Sequence, residues 1–252
     1  MDQSAQYGQM DFNLPHDVVK LPSRGIFYKP KKESLKVGYL TANDENLLMS
    51  PNVFKDGLVY NLLRNKIYEP GFDVNQLMDV DVQAILIFLR NTSFGSEYTL
   101  DLVDPSNNQK FSISYNFDSV SYQEPKVKPD ENGLFSFTTP VTKKNLKLKI
   151  LNVGDQRELE KIQEQYPKGM VAPIITKKLE KHIVELDGKT DKQEISKFVT
   201  NLPIRDSKEI QKFIIDCEPS LDLNRTVVAP SGEEVSFKLT FGVDFFRPFF
   251  GV

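Results

Sequence analysis

The sequence predicts an α+β fold made of two tandem, related lobes. Shifting the chain by 125 residues aligns residues 74–106 with residues 199–231 without a gap, and eight of the 33 aligned positions are identical. Average composition would give roughly two identities. The repeated pairs are Val74/Val199, Leu77/Leu202, Asp81/Asp206, Ile85/Ile210, Phe88/Phe213, Val103/Val228, Pro105/Pro230 and Ser106/Ser231. Because no His, Cys or Glu cluster recurs, the repeat indicates a duplicated scaffold rather than a duplicated active site.

Length and composition fit two globular lobes. The chain has 252 residues, of which 39% are hydrophobic and 27% charged, with a formal net charge of -3. This balance argues against global disorder and gives no broad cationic field for nucleic acid. A single cysteine, Cys217, excludes an intramolecular disulfide and a cysteine-based zinc site, and favours a reducing compartment. The chain has no signal-peptide pattern and no apolar run of about 18 residues, so we expect no membrane contact and a cytoplasmic location.

Four segments are expected along the chain. Residues 1–14 are polar and aperiodic, which predicts a mobile N-terminal arm. Lobe one is placed at residues 15–117 and lobe two at residues 134–252. Between them, residues 118–133 contain two prolines, an Asn-Gly pair and several acidic residues, a composition typical of a linker.

Each lobe is predicted to open with a small antiparallel β unit, at residues 18–37 in lobe one and 134–151 in lobe two. Both stretches alternate apolar and polar residues and contain proline. A helix follows each unit. In lobe one it begins at Asn43 or Asp44, and in lobe two Asp155, with a glutamate three residues later, forms a capping-box pattern.

Two further helices are expected in each lobe. The first covers residues 52–66, and Pro173 at an initial helical position opens its counterpart. Asp81 and Asp206 are predicted as the N-caps of the strongest helix in each lobe. Residues 81–90 are apolar on nearly every side, so that helix is expected to be the more buried of the two. The apolar stripe of the helix in lobe two consists of Ile210, Phe213, Ile214 and Cys217.

A β-hairpin is predicted beyond each of these helices. Residues 98–104 and 111–117 form the first hairpin, and residues 226–229 and 235–241 form the second. Both hairpins turn through the same dipeptide. The structural turn residues are therefore Pro105, Ser106, Pro230 and Ser231.

No residue constellation for catalysis or metal binding stands out. The two histidines, His16 and His182, belong to different lobes, and the common phosphate-binding, nucleophile and zinc motifs are absent. His182 is interpreted as a boundary histidine of its helix and Cys217 as a small core residue. We therefore predict a non-enzymatic protein without metal or cofactor. A hydrolase remains open only if dispersed groups such as Asp79, Asp101 and His182 converge.

The C-terminal segment, residues 241–252, contains five phenylalanines. An aromatic side chain buries roughly 150 to 250 Å², so these residues need a surface to cover. Two alternatives are open: the segment folds back onto the sheet of lobe two, or it docks on a partner subunit. The candidate partner-binding residues are Phe245, Phe246, Arg247, Phe249 and Phe250.

Four segments carry a resemblance to a known family. They are residues 21–28 (LPSRGIFY), 40–45 (LTANDE), 89–95 (LRNTSFG) and 245–248 (FFRP). In order and spacing they resemble the baseplate hub proteins of T4-like contractile-tailed bacteriophages, over almost the whole chain. Members of that family often carry Cys-Pro-x-Cys pairs in the two hairpins as zinc-ribbon knuckles. Here the prolines are kept and the cysteines are absent, so each hairpin resembles a cysteine-less knuckle and no metal is expected.

The resemblance implies a late viral protein of the baseplate hub, either a retained virion subunit or an assembly factor that leaves. It would act in the host cytoplasm during assembly, through protein-protein contacts with other hub or tape-measure proteins. The paired hairpins leave one alternative open, a nucleic-acid-binding module derived from zinc ribbons, whose affinity would fall steeply with salt. The number of copies is not predicted.

Overall fold

The computed structural model describes residues 15–48, 57–167, 170–241 and 243–246. The expected arm at residues 1–14 lies outside them. The described part combines helices with small antiparallel sheets, which confirms the predicted α+β class. The helices are α1 (Ala42–Leu48), α2 (Leu58–Lys66), α3 (Asp79–Phe94), α4 (Val153–Glu164), α5 (Ile174–His182), α6 (Lys192–Thr200) and α7 (Ile204–Cys217). The strands are β1 (His16–Lys20), β2 (Ser34–Gly38), β3 (Glu97–Val103), β4 (Lys110–Asn116), β5 (Tyr122–Gln123), β6 (Phe135–Thr138), β7 (Asn145–Leu148), β8 (Ile183–Leu186), β9 (Ser220–Leu221), β10 (Asn224–Val228) and β11 (Glu234–Lys238).

The strands pair into sheets of two or three members. β1 pairs with β2, β3 with β4, β5 with β9 and β10 with β11, while β6, β7 and β8 form the one three-stranded sheet of the described chain. Every pairing is antiparallel. Since an isolated two-stranded hairpin is only marginally stable in water, these sheets depend on the helices and on each other for their buried faces.

The two halves of the chain place their elements in the same order. A hairpin (β1–β2 or β6–β7) is followed by two helices, by a return to the hairpin, by a long helix (α3 or α7) and by a second hairpin. After α5, Ile183 begins strand β8, which pairs with β7. After α2, Ile67 forms a single antiparallel bridge to Val37 of β2. A short 3₁₀ turn at Val74–Gln76 takes the place in the first half that α6 has in the second.

Helix α4 begins earlier than predicted. Its capping box consists of Asn152 and Asp155, not Asp155 and the glutamate that follows it. The Asn152 side chain accepts the N–H of Asp155 at 2.9 Å, and the Asp155 carboxylate accepts the N–H of Asn152 at 3.4 Å. Thr41 and Asp44 have the same relation at the start of α1. In each case the acidic residue at the third helical position is the second partner of the box.

The second helix of each half is present, but in the first half it begins later than predicted. α5 begins directly after Pro173, within one residue of the expected start. α2 ends at Lys66 as predicted but begins at Leu58, because Gly57 before it is the N-cap, with a left-handed backbone at φ 68°. The rest of the expected helix, before residue 57, lies outside the described residues.

Asp81 and Asp206 are not N-caps, and that prediction was wrong. Met78 precedes α3 and Pro203 precedes α7, so each aspartate lies at the third helical position. Neither side chain is exposed. Instead of closing its own helix, each carboxylate binds the loop that connects the first hairpin of its half.

Asp81 binds the loop between β1 and β2. It accepts the N–H of Ser23 at 2.9 Å, the hydroxyl of Ser23 at 2.5 Å and the hydroxyl of Tyr28. Burial raises the pKa of Asp81 above its ordinary value, because desolvation outweighs these hydrogen bonds.

Asp206 binds the loop between β6 and β7 in the same way. It accepts the N–H of Val141 at 2.8 Å, the N–H of Thr142 at 2.9 Å and the Thr142 hydroxyl at 2.8 Å. Burial opposes ionisation here too, but the hydrogen bonds from Thr142 and Val141 prevail and hold the pKa of Asp206 below its ordinary value. In both halves, a buried carboxylate of the long helix therefore anchors the first hairpin.

Two hydrophobic clusters form the core of the described chain. The predicted stripe of α7 is confirmed: Ile210, Ile214 and Cys217 are buried in the second cluster and Phe213 packs against it. The first cluster contains the inner faces of β1–β4 and α3, but also Leu223, Leu239, Phe245 and Phe246 from the end of the chain. The core of the first half is thus completed by residues of the second.

Residues 118–133, expected to be a linker, include strand β5. Tyr122 pairs with Leu221 of β9 in this short sheet. A few residues later, the N–H of Lys126 donates to the carbonyl of Asp216 at 2.8 Å. This stretch of chain therefore runs along the end of α7.

Candidate functional site

The two Pro-Ser turns lie against each other and share one carboxylate. The hairpins have their strands within one or two residues of the predicted starts, and the turns follow β3 and β10. Asp104 accepts the N–H of Ser106 at 3.0 Å and its hydroxyl at 2.8 Å. Across the chain, Asp104 also accepts the N–H of Ser231 at 3.1 Å and its hydroxyl at 2.8 Å. Burial opposes ionisation, but these hydrogen bonds hold the pKa of Asp104 below its ordinary value.

Asp104→Ala is expected to separate the two turns and lower the melting temperature of the whole chain. The substitution removes the acceptor of four donors at once, whereas Ser106→Ala and Ser231→Ala each remove one hydroxyl. Scanning calorimetry should therefore give a larger fall for Asp104→Ala than for either serine variant. Adding Ser231→Ala to Asp104→Ala should cost less than Ser231→Ala alone, and full additivity of the two effects would contradict a shared site.

Phe245 and Phe246 are buried inside the chain, so they do not form the partner-binding surface that the sequence suggested. Phe245 is 0% exposed. Its ring centroid lies 5.2 Å from that of Phe117, 6.1 Å from Tyr98 and 4.9 Å from Phe241. The segment thus packs between the end of the second half and the β3–β4 hairpin of the first, instead of covering only the second half. The other candidate anchors, Arg247, Phe249 and Phe250, lie outside the described residues.

The guanidinium of Arg90 packs against this aromatic cluster. Its guanidinium carbon lies 4.9 Å from the ring centroid of Tyr98, 5.4 Å from that of Phe117 and 5.8 Å from that of Phe245. The guanidinium donates to the carbonyl of Glu97 at 2.7 Å and to that of Gly95. Burial lowers the pKa of Arg90. Sequence reasoning missed this role, and the signal for it was an arginine directly after the apolar run of residues 85–89.

The groups considered for a hydrolase bind separate partners. Asp79 accepts from the side chain of Gln83 at 2.6 Å, and Asp101 accepts from the hydroxyl of Ser112, also at 2.6 Å. His182 bonds through its ring to the carbonyl of Lys149. In the described ranges, no three His, Cys, Asp or Glu side chains are grouped so as to hold a metal ion.

His182 is a buried, neutral histidine. It is 1% exposed, and its Nδ1 lies 2.8 Å from the carbonyl oxygen of Lys149. Because a carbonyl only accepts, Nδ1 carries the proton and Nε2 is left as an acceptor. Burial lowers the pKa of His182 to about 4, and the charge of Lys178 adds to the effect. Among the described residues, Nε2 has no hydrogen-bond partner.

Cys217 is a core residue, as expected. It is buried in the second hydrophobic cluster. Burial raises the pKa of its thiol to about 12, with a further contribution from Asp216 and Glu218. The thiolate needed for nucleophilic chemistry is therefore disfavoured.

Acidification is expected to destabilise the protein through His182. The pKa of this group is about 4 in the folded chain and 6.5 ordinarily, so below pH 6.5 the unfolded chain binds a proton that the folded chain does not. The contribution of His182 to the free energy of unfolding is therefore complete above pH 6.5. It falls by about 3 kcal/mol as the pH approaches 4. Urea unfolding of the wild type and of His182→Gln at several pH values measures it. Carboxylate effects are common to both proteins, and parallel pH profiles would contradict the assignment.

An apolar groove lies between α5 and α7, with a volume of about 190 Å³. Its walls are Ile174, Ile175 and Leu179 on α5, and Ile214 and Ile215 on α7, with His182 at the end of α5. Ile175 is 64% exposed and Ile215 is 69% exposed. Two large apolar side chains on facing helices are thus left in water, which is typical of a contact surface.

A larger cavity of about 560 Å³, between α4, α5, β8 and α6, is lined by charged residues. Three of its four lysines form ion pairs within the chain: Lys149 lies 2.6 Å from Asp155, and Lys177 lies 2.7 Å from Glu180. Lys181 lies between Asp155 and an exposed glutamate. Lys181 joins α5 to α4, and Lys149, directly after β7, joins the β6–β7 hairpin to α4. We interpret these ion pairs as structural.

The comparisons with known proteins identify the family. A family model described as T4 bacteriophage base plate protein matches residues 28–247, most of the chain. The chain belongs to this family. No curated protein and no solved structure matches it. The family confirms the resemblance to T4-like phage baseplate proteins, and the described helices include none that is both long and apolar enough to cross a bilayer.

Proposed function

We propose that this baseplate protein is a non-enzymatic component of the central hub, either a subunit or an assembly factor, that acts by binding other hub or tape-measure proteins. The observation that carries the proposal is the pair of exposed isoleucines, Ile175 and Ile215, on either side of one groove. Most other large apolar residues of the described chain pack into two clusters, and the remaining exposed ones, such as Ile204 and Val228, do not line this groove. A surface of this kind supports a binding role, since its burial needs a second protein.

We further propose that the two halves arose by duplication of one scaffold. Asp81 and Asp206 support this, because both lie at the third position of a long helix and bind the loop of the preceding hairpin. At one position the two halves differ. Lys66 and His182 end corresponding helices, but His182 lines the groove with exposed apolar walls, whereas Lys66 is buried in an ion pair with Asp44.

Contacts between the two halves support a role in which the chain holds its binding surface on one rigid unit. The shared carboxylate of Asp104 and the burial of Phe245 both join residues from opposite ends of the sequence. Because the two halves are joined by these contacts, the binding surface is preorganised, which lowers the entropic cost of association. We place this activity in the host cytoplasm during late assembly, with the protein either kept in the virion or released.

Co-expression of the tagged chain with the other hub and tape-measure proteins of the same phage tests the proposal. We expect at least one of them to co-purify through size-exclusion chromatography at micromolar concentration. Mass spectrometry of purified virions then separates a retained subunit, which is present, from an assembly factor, which is absent. Failure of every hub and tape-measure protein to co-purify would refute the proposed function.

A further inference from the structure

The groove between α5 and α7 has the chemistry of a site for a single aromatic side chain. Its volume of about 190 Å³ is below the roughly 300 to 1,000 Å³ of sites for drug-sized ligands. The lining is mainly aliphatic, and its two charged residues, Lys178 and Glu218, have opposite signs, so a charged occupant would lose hydration and meet a like charge as well as an opposite one. The occupant is therefore small, neutral and largely apolar.

One unsatisfied acceptor lies at this groove. His182 lines the groove. The carbonyl of Lys149 accepts the hydrogen bond from Nδ1 of His182, and Lys149 lines the larger cavity on the other side of α5. The ring edge that carries Nε2 therefore faces away from Lys149 and toward the groove. Nε2 is buried and has no partner among the described residues. A buried acceptor without a donor costs free energy that an incoming donor recovers.

The donor inventory of neutral side chains selects the occupant. Hydroxyl and amide side chains bring acceptor oxygens as well as a donor, whereas Nε2 of His182 needs only a donor. Tryptophan carries one indole N–H and no acceptor, and its large ring covers apolar surface at little entropic cost. Two groups of opposite charge, Lys178 and Glu218, line the groove beside the apolar walls and leave its net charge near zero.

We propose that the groove between α5 and α7 binds a tryptophan side chain of a partner protein, with the indole N–H donating to Nε2 of His182. The partner is not a second copy of this chain, because the sequence contains no tryptophan. The inference rests on the proposed function in that it names the residue by which a baseplate partner is held. Aromatic anchors in pockets of this kind carry a large share of interface binding energy.

N-acetyl-L-tryptophanamide titrated into the full-length, ¹⁵N-labelled protein tests the inference. We expect saturable binding with amide shifts confined to α5 and α7, and a change in the ¹⁵N shift of His182 Nε2 as it accepts a hydrogen bond. The analogue methylated at the indole nitrogen has nearly the same apolar surface but no donor. It should bind about tenfold more weakly, the factor expected for one hydrogen bond.

Two exposed isoleucines of α7 provide matched variants. Ile215 lines the groove, while Ile204 is 79% exposed and does not. Ile215→Asp should weaken binding of the amide at least tenfold, and Ile204→Asp should leave it unchanged. Both side chains point into solvent, so both variants are expected to fold. Equal affinity for the two amides, an unchanged Nε2 shift, equal effects of the two variants or no saturable binding would each overturn the inference.

The outcomes also separate this inference from the proposed function. If hub proteins co-purify with the chain and the tryptophan amide does not bind, the partner uses another surface and only the inference fails. If the amide binds in the groove as described and no hub or tape-measure protein co-purifies, the site stands and the proposed function fails.

Discussion

Phe245→Ala is expected to destabilise the protein by about 3 to 5 kcal/mol, the usual cost of removing a fully buried phenylalanine. Phe245 contacts Tyr98 and Phe117 and lies above the guanidinium of Arg90. The cavity would open at the junction of the two halves, and the buried charge of Arg90 would lose one of its aromatic neighbours. Urea unfolding at pH 7, followed by circular dichroism, measures the loss.

Two control variants make that result specific. Phe245→Leu retains most of the apolar volume and should cost clearly less than Phe245→Ala. Val228→Ala shortens an exposed side chain in the same half and should have almost no effect. If Phe245→Ala and Val228→Ala lowered stability equally, the C-terminal segment would not be part of the core.

Lys66→Met is expected to cost about 3 to 5 kcal/mol, because it leaves a buried carboxylate without its counter-ion. Lys66 and Asp44 form an ion pair in which both side chains are almost wholly buried. Asp44 keeps its hydrogen bonds from the N–H and the hydroxyl of Thr41, both at 2.7 Å, but these do not replace the lost charge. Urea unfolding at pH 7 gives the value.

The double variant Lys66→Met/Asp44→Asn is the control for the ion pair. It removes both charges and is expected to be more stable than Lys66→Met alone, since no unpaired charge stays buried. In the second half, the corresponding helix ends in neutral His182, and Asp155 pairs instead with Lys149 and Lys181. A double variant less stable than Lys66→Met would show that the pair is not the source of the loss.

Local patterns allowed the second helices, the hairpins and the stripe of α7 to be predicted, because each is fixed by residues close together in the sequence. The aspartates of the long helices were misassigned for a physical reason. The sequence pattern around an acidic residue near the start of a helix is the same whether that residue is the N-cap or the third helical residue. Only the hydrogen bonds from Ser23 and Thr142, more than fifty residues away, distinguish the two.

The C-terminal segment and the groove depend on contacts that no local pattern encodes. Phe245 packs on residues more than one hundred positions earlier, so the sequence indicated that it needed a surface but not which one. The groove had a weak signal. Each of the two amphipathic helices carries a pair of adjacent isoleucines, Ile174–Ile175 and Ile214–Ile215. Because neighbouring residues point in different directions on a helix, a helix that buries one face leaves one isoleucine of the pair exposed.

The central claim is that Phe245 and Phe246, near the end of the chain, complete the hydrophobic core of its first half. Hydrogen exchange of the wild type and of Phe245→Ala tests this claim most directly. We expect faster exchange in α3 and in the β3–β4 hairpin, at amides more than one hundred residues from the substitution, together with faster exchange in β10 and β11. Loss of protection confined to residues 220–246, with α3 unchanged, would contradict the account.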